Sequence, residues 1–286
     1  MRQTKIGILH PGNMGVSVAA SFKAAGNAVY WASEGRSEAT QQRALDAGLS
    51  DGCSVRTLCE TCSILVSVCP PHAASVVVDQ VLGFGFRECF LDANAISPQT
   101  SIAIGSKIMA AGGSYIDGGI VGGPAWKPGN TWLYLSGSSA QETAKILTGG
   151  PLEVAAIGSE PGKASALKMC YAAYTKGSSA LLSAIVAAAT HYGVREDLET
   201  QWAQDDPDFP ERTHARVRRV TAKAWRFVGE MEEISATFRA AGLPGGFHEA
   251  SAEIYRRMEG LEKQPEMPEL DEVLLRLLKQ GSEFEK

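Results

Sequence analysis

The sequence predicts an α/β chain: a doubly wound parallel sheet at the N-terminus, followed by an all-α C-terminal domain. Three observations carry that reading. Residues 5–15, KIGILHPGNMG, run from a short apolar strand into a glycine-punctuated turn. Apolar strands then alternate with helical patterns as far as Ile157, which is how a parallel sheet with crossover helices reads. From Pro161 the strand pattern stops and every later segment reads as helix. The boundary therefore falls near residue 160, giving domains over 1–160 and 161–286, the second opening on a long interdomain helix.

The bulk numbers set the frame. A chain of 286 residues that is 44% hydrophobic and 21% charged has the composition of a globular protein, with enough core for two domains. Its net charge of -5 argues against nucleic acid as the main partner. No apolar run reaches the roughly 18 residues that a membrane span needs, and the N-terminus enters a strand without a leader pattern, so a cytoplasmic location is expected. Cys59 and Cys62 form a CxxC without the second pair that a zinc site wants. No metal is expected, and the six cysteines read as small buried hydrophobes or, for the CxxC, a redox pair.

In order along the chain, KIGIL is the first buried strand and Val16 to Ala25 an Ala-rich helix. Strand, glycine turn and helix open a dinucleotide-binding βαβ unit, which makes the first domain a Rossmann domain. Gly12 lets the backbone approach a pyrophosphate, Gly15 lets the helix pack closely on the strand, and the helix N-terminus offers N–H donors to phosphate. His10, Pro11, Gly12, Asn13 and Met14 line that turn. His10 stands where the first glycine of GxGxxG belongs, so its side chain is expected to point outward, to cofactor or solvent.

Asn27 to Ser33 is the second strand, and its end selects the cofactor. The chain offers Ser33, Glu34, Gly35, Arg36 and Ser37 there. Arg36 between two hydroxyls suits a 2′-phosphate, so NADP is favoured over NAD, with Glu34 the dissenting residue. Ser37 caps a helix to Ala47; a short strand near Gly52 and another helix follow. Ser63 to Cys69 is a buried strand that breaks at Pro70 and Pro71, which belongs at the sheet's carboxyl edge. Cys69, Pro70 and Pro71 are thus cofactor-binding candidates, and His72 opens the next helix. Arg87 to Ala93 is the next strand, followed by Asn94, and Ser97 caps a helix from Pro98. Asn94 is placed to bind a nicotinamide carboxamide or a substrate carboxylate, or to form an Asx turn. Ser114 to Asp117 reads as a strand entering a glycine-rich loop, GGIVGGPAWKPGN. Gly122 and Gly123 there free backbone N–H groups for an anionic substrate. Thr131 to Ser136, Ala140 to Leu147 and Leu152 to Ile157 close the domain as strand, helix and strand. Pro161 to His191 is one long helix, weakly broken at Gly177.

Together these motifs make the chain resemble the β-hydroxyacid dehydrogenase and 6-phosphogluconate dehydrogenase superfamily of NAD(P)-dependent oxidoreductases. HPGNMG resembles its GxGxxG, DANAISP (92–98) its D-x-S-T-x-x-P loop, DGGIVGGP (117–124) its D-A-P-V-S-G-G substrate loop, and GSEPGKASALK (158–168) its G-x-G-x-x-x-K segment. The HPG opening and residues 223–258 resemble the subgroup with a DUF1932 C-terminal domain. The chain departs from the family at His10, where glycine is usual, at Asn94 and Val121, where serine is, and at Ala172, where asparagine is. The resemblance implies hydride transfer between nicotinamide and a small hydroxy-acid or carbonyl substrate, a homodimer, and Lys168 as the catalytic lysine. A buried lysine can take and return the alcohol proton. Tyr171, one turn on, is a second catalytic candidate beside Asn94, with Tyr174 and Lys176 further off. His248, in GGFHEA, could reach substrate from the helical domain. Alternative readings are an imine reductase, for which Tyr171 and Ala172 speak, and a sensor that binds NADP without turnover.

Overall fold

The computed structural model describes residues 3–264 and 266–279. The first strands and helices come as the pattern dictates: β1 (Lys5–Ile8), α1 (Asn13–Ala24), β2 (Ala28–Trp31), α2 (Glu38–Asp46), β3 (Ser50–Asp51), α3 (Val55–Thr61) and β4 (Ile64–Ser67). Then follow α4 (Ala74–Gly83), β5 (Cys89–Asp92), α5 (Pro98–Ala110), β6 (Ser114–Gly122), β7 (Thr131–Ser136), α6 (Ala140–Leu147) and β8 (Glu153–Gly158). They form one eight-stranded sheet in the order β3-β2-β1-β4-β5-β6-β7-β8. The order reverses between β1 and β4, and ligands bind at such a switch point, outside the strands' carboxyl ends.

Strand alternation buries both faces. Ile6, Ile8, Ile64 and Val66 enter one apolar cluster with Val16, Phe22 and Trp31. Leu65, Phe90 and Tyr115 enter another with Leu58, Val78 and Ile104. A sheet covered by helices on both sides needs such continuous apolar strands.

Two expectations change. The sheet is not wholly parallel, because β6 and β7 pair antiparallel from Asp117↔Ser136 to Gly122↔Thr131. The glycine-rich stretch after Asp117 is accordingly strand as far as Gly122, not loop. Its glycines answer to close backbone approach, which is what glycine inside a strand marks. A Cβ on Gly118 would lie 3.0 Å from the Asp92 carbonyl oxygen, and one on Gly119 would lie 2.5 Å from that of Ala164.

The chain divides into two compact units, one ending at Cys170 and the next starting at Tyr171. The division falls within α7 (Lys163–Ala172), which begins two residues after Pro161. A π-helical turn over Ala173–Gly177 links it to α8 (Ser178–His191), so the expected break at Gly177 is a widened turn. The second unit continues with α9 (Arg195–Asp205), α10 (Phe209–Val220), α11 (Ala224–Ala240), α12 (Gly246–Arg257) and α13 (Leu270–Leu278). Its core holds Val186, Val217, Met231, Ile234, Tyr255, Val273 and Leu277. Outside donors satisfy the π turn's carbonyls: Arg216 Nη2 donates to Thr175 O at 2.8 Å and the Tyr255 hydroxyl to Lys176 O at 2.7 Å.

Candidate functional site

The glycine turn leads into an uncapped helix start. Gly12 precedes α1, and no side chain caps that helix, so its first N–H donors face outward unclaimed by a cap. A Cβ on Gly12 would meet nothing within 4 Å, which leaves room for a ligand against the backbone. Gly15 is glycine for the packing reason: a Cβ there would lie 2.2 Å from the His10 carbonyl oxygen. Pro11 is buried, Met14 is half-buried, and Asn13 is exposed. An uncapped helix start behind an open glycine fits a dinucleotide pyrophosphate.

His10 is half-buried, with Nδ1 buried and without a hydrogen-bond partner. Burial, and secondarily the charge of Arg36, push its pKa down to about 4, so it is neutral at physiological pH and adds no positive charge for a phosphate.

Arg36 bridges two strand ends. Its Nη2 donates to Leu9 O at 2.9 Å, beyond β1, and its Nε to Ala32 O at 3.4 Å, beyond β2. Burial lowers its pKa from the ordinary arginine value. Arg36 forms no ion pair among the described residues, and a guanidinium with two donors on carbonyls keeps the rest for an anion. Gly35, at φ 71°, makes the turn that brings it there. Ser33 spends its hydroxyl on Cys53 O at 3.3 Å, and the Ser37 hydroxyl meets that of Thr40 at 3.1 Å. Ser37 therefore occupies the N-cap position of α2 without a side-chain bond to its backbone.

At the ends of β4 and β5, Asn94 is a strut. It is 2% exposed. Its Oδ1 accepts from the Cys69 N–H at 2.6 Å, and its Nδ2 donates to Ser67 Oγ at 3.1 Å. The carboxamide ties two strand ends together, a structural place for the residue expected to face cofactor or substrate. Cys69 keeps a protonated thiol, pushed up to about 11 chiefly by burial. Pro70 stays exposed at the crevice and Pro71 begins a short 3-10 turn that runs into α4.

Asp92, two residues before Asn94, was not singled out by the sequence. It is 1% exposed; Oδ1 accepts from Asn94 N at 3.0 Å while Oδ2 has no hydrogen-bond partner. Burial first, then the neighbouring Asp117, push its pKa up to about 7. The DANAISP motif contains this residue, but only the register Asp92↔Asp117 shows two carboxyl groups side by side.

Lys168 stands over β6. A Cβ placed on Gly119 would lie 3.2 Å from Lys168 Cβ, so glycine there lets α7 lie directly on the strand. Gly119 lies past the Ser67–Asp92–Asp117 row, at the carboxyl ends of the parallel strands. Lys168 is half-buried, and Tyr171, three residues on along α7, is 47% exposed. Gly122, at φ 121°, closes β6 where a Cβ would strike Asn130 O at 2.3 Å, and Gly123 is open. Gly123 O accepts from the Thr131 hydroxyl at 2.7 Å, which fixes the loop.

Other candidates find packing places. In the second unit His248 is 5% exposed, edge-on to Phe238 and Phe247, and burial lowers its pKa. Lys176 pairs with Glu230 at 2.8 Å in a nearly buried ion pair, which removes it as a second acid. The Cys59 thiol is pushed up to about 11 and that of Cys62 upward, in both cases first by burial, so neither is a ready thiolate.

Comparison with known proteins agrees with this geometry. The model of the NAD-binding domain of 6-phosphogluconate dehydrogenase matches residues 5–148, half of the chain, and a domain of unknown function, DUF1932, matches 189–258. An uncharacterized 28.5 kDa protein from Methanothermus fervidus is 31% identical over 167 residues, which are 58% of this chain and 63% of that protein. The chain thus spans less than two thirds of that relative's length. A conserved protein of unknown function, described as structurally similar to 3-hydroxyacid dehydrogenases, superposes with TM-score 0.67 at 27% identity, over 96% of this chain and 99% of its own. A 3-hydroxyisobutyrate dehydrogenase from Salmonella typhimurium shares the fold at TM-score 0.70 and 18% identity, over 96% of this chain and 99% of its own.

Proposed function

The chain belongs to the family that carries the NAD-binding domain of 6-phosphogluconate dehydrogenase, and on that premise we propose that it is an NADP-preferring dehydrogenase or reductase of a small hydroxy-acid or carbonyl substrate. One observation carries the reading. The uncapped start of α1 and the helix bearing Lys168 meet the same carboxyl edge of one sheet. A bound nicotinamide would supply or accept the hydride there. The chain's own part is to bind, orient and move a proton. The α1 N-terminus takes the pyrophosphate, and Arg36, anchored on Leu9 and Ala32, presents its remaining N–H donors to a 2′-phosphate. Lys168 Nζ gives a proton to the substrate oxygen in reduction and takes it back in oxidation. Gly123 offers its N–H side to a substrate carboxylate, and Tyr171 is a further donor on the same helix.

The experiment is a hydride-transfer assay with NADPH and NADH against β-keto acids, β-hydroxy acids and cyclic imines. Lys168→Ala is expected to lower kcat by about 10²- to 10⁴-fold, the usual weight of a general acid. Retained turnover would remove Lys168 as the proton donor, and turnover of imines alone would move the substrate class to C=N bonds. Ala172, at the family's asparagine position, is the observation that keeps C=N reduction in the panel. The reading also carries a cytoplasmic homodimer, checked for its stoichiometry by light scattering.

A further inference from the structure

We propose that Asp117 is a positioning residue: its carboxylate seats the first turn of α7 on the sheet and so sets where Lys168 stands. This rests on the reading of Lys168 as the proton donor, and it adds a residue to which no role has been given.

Asp117 is fully buried at the point where β6 leaves its parallel partner. Its Oδ2 accepts from Ser136 Oγ at 2.9 Å, from Gly162 N at 2.9 Å and from Ser165 N at 3.0 Å. Its Oδ1 accepts from Ser165 Oγ at 2.5 Å. The Ser136 hydroxyl in turn accepts from Ala164 N at 3.1 Å. Backbone donors at the start of α7 are thus held by two side chains of the sheet, not by a capping residue of the helix itself. A negative group among helix N-terminal donors is favourable in any case. The consequence here is geometric. Because the cap belongs to β6 and β7, the rise and rotation of α7 are tied to the sheet.

Ser165 is the point of attachment, and Lys168 follows it by three residues, on the same helix face. Gly119, two residues after Asp117, allows the contact: the Ala164 carbonyl and Lys168 Cβ sit where its side chain would be. Asp117 fixes the helix from one side and Gly119 lets it down onto the strand. A merely stabilising cap would serve equally well from the loop before the helix. This one fastens the turn that carries Lys168.

The test reads Lys168 directly. The full-length protein is labelled with trace acetic anhydride between about pH 7 and pH 10, spanning the onset of lysine titration, and each lysine is followed by peptide mass spectrometry. In Asp117→Asn the amide turns N–H donors toward N–H donors. In the milder Ser165→Ala only one hydroxyl is lost, so that variant keeps the test open if the first fails to fold. Both are expected to move the pH profile of Lys168 and to raise its labelling several-fold relative to Lys145, which lies on α6 and keeps its wild-type profile. A lowered Tm with an unchanged Lys168 profile in Ser165→Ala, or in folded Asp117→Asn, would overturn the proposal and leave Asp117 a stabilising cap. Turnover retained in Lys168→Ala would instead remove the chemical role of Lys168 while the labelling result still decides the seat.

Discussion

At the scale of the residue, the buried Asp92 sets a measurable pH dependence. Its pKa of about 7 lies above the ordinary 3.8, so in the window between those values the folded chain holds a proton that the unfolded chain has released. Stability therefore falls as pH rises through that window and levels off above it. Asp92→Asn keeps an acceptor for Asn94 N and removes the titration. Urea unfolding is expected to find the variant more stable than wild type near pH 8, by up to a few kcal/mol at ~1.4 kcal/mol per pKa unit, with the gap closing toward pH 4. An unchanged slope would contradict the burial argument. Arg36 stands out in the sequence as a basic residue past the second strand, but its anchoring on the Leu9 and Ala32 carbonyls is visible only in the fold. The surroundings of Asn94 and His248 were not legible, because residue type alone does not say which backbone N–H a carboxamide meets, or whether an imidazole lies among phenyl rings.

At the scale of the element, the strands with apolar runs and the helices with caps were readable, and glycine was the source of error. Ser97 accepts from Thr100 N at 3.3 Å at the start of α5, as its position before Pro98 foretells. The glycines of β6 read as loop because propensity disfavours them in strands. The carbonyls that demand them, those of Asp92, Ala164 and Asn130, come from distant sequence. Gly15 makes the clearest single test of the first turn. Gly15→Ala drives a Cβ against the His10 carbonyl, so nucleotide affinity is expected to fall by at least about tenfold, with a loss of stability in the 1–3 kcal/mol range of overpacking. Titration calorimetry and thermal melts check both. The π turn was invisible to periodicity, since its support comes from Arg216 and Tyr255. Tyr255→Phe removes one donor from Lys176 O and is expected to cost about 1 kcal/mol, or somewhat more for a carbonyl left unsatisfied. A loss confined to a few tenths would mean that the turn is held without it.

At the scale of the whole molecule, the alternation that stops near Ile157 announces the change from sheet to helices, and the described chain divides between Cys170 and Tyr171. Fold and family were legible because glycine turn, strand ends and helix order recur together. The substrate was not, because glycine turn, strand ends and helix order mark a fold and a nucleotide site and carry no information on what else is bound. The most direct measurement of the central claim is a fluorescence titration of the full-length protein with NADPH and with NADH, beside Arg36→Ala. NADPH is expected to bind at least about tenfold more tightly than NADH, and Arg36→Ala to erase that preference while leaving NADH unchanged, as loss of a charge-assisted phosphate contact requires. Binding of neither nucleotide, or an equal preference that Arg36→Ala does not alter, would contradict it.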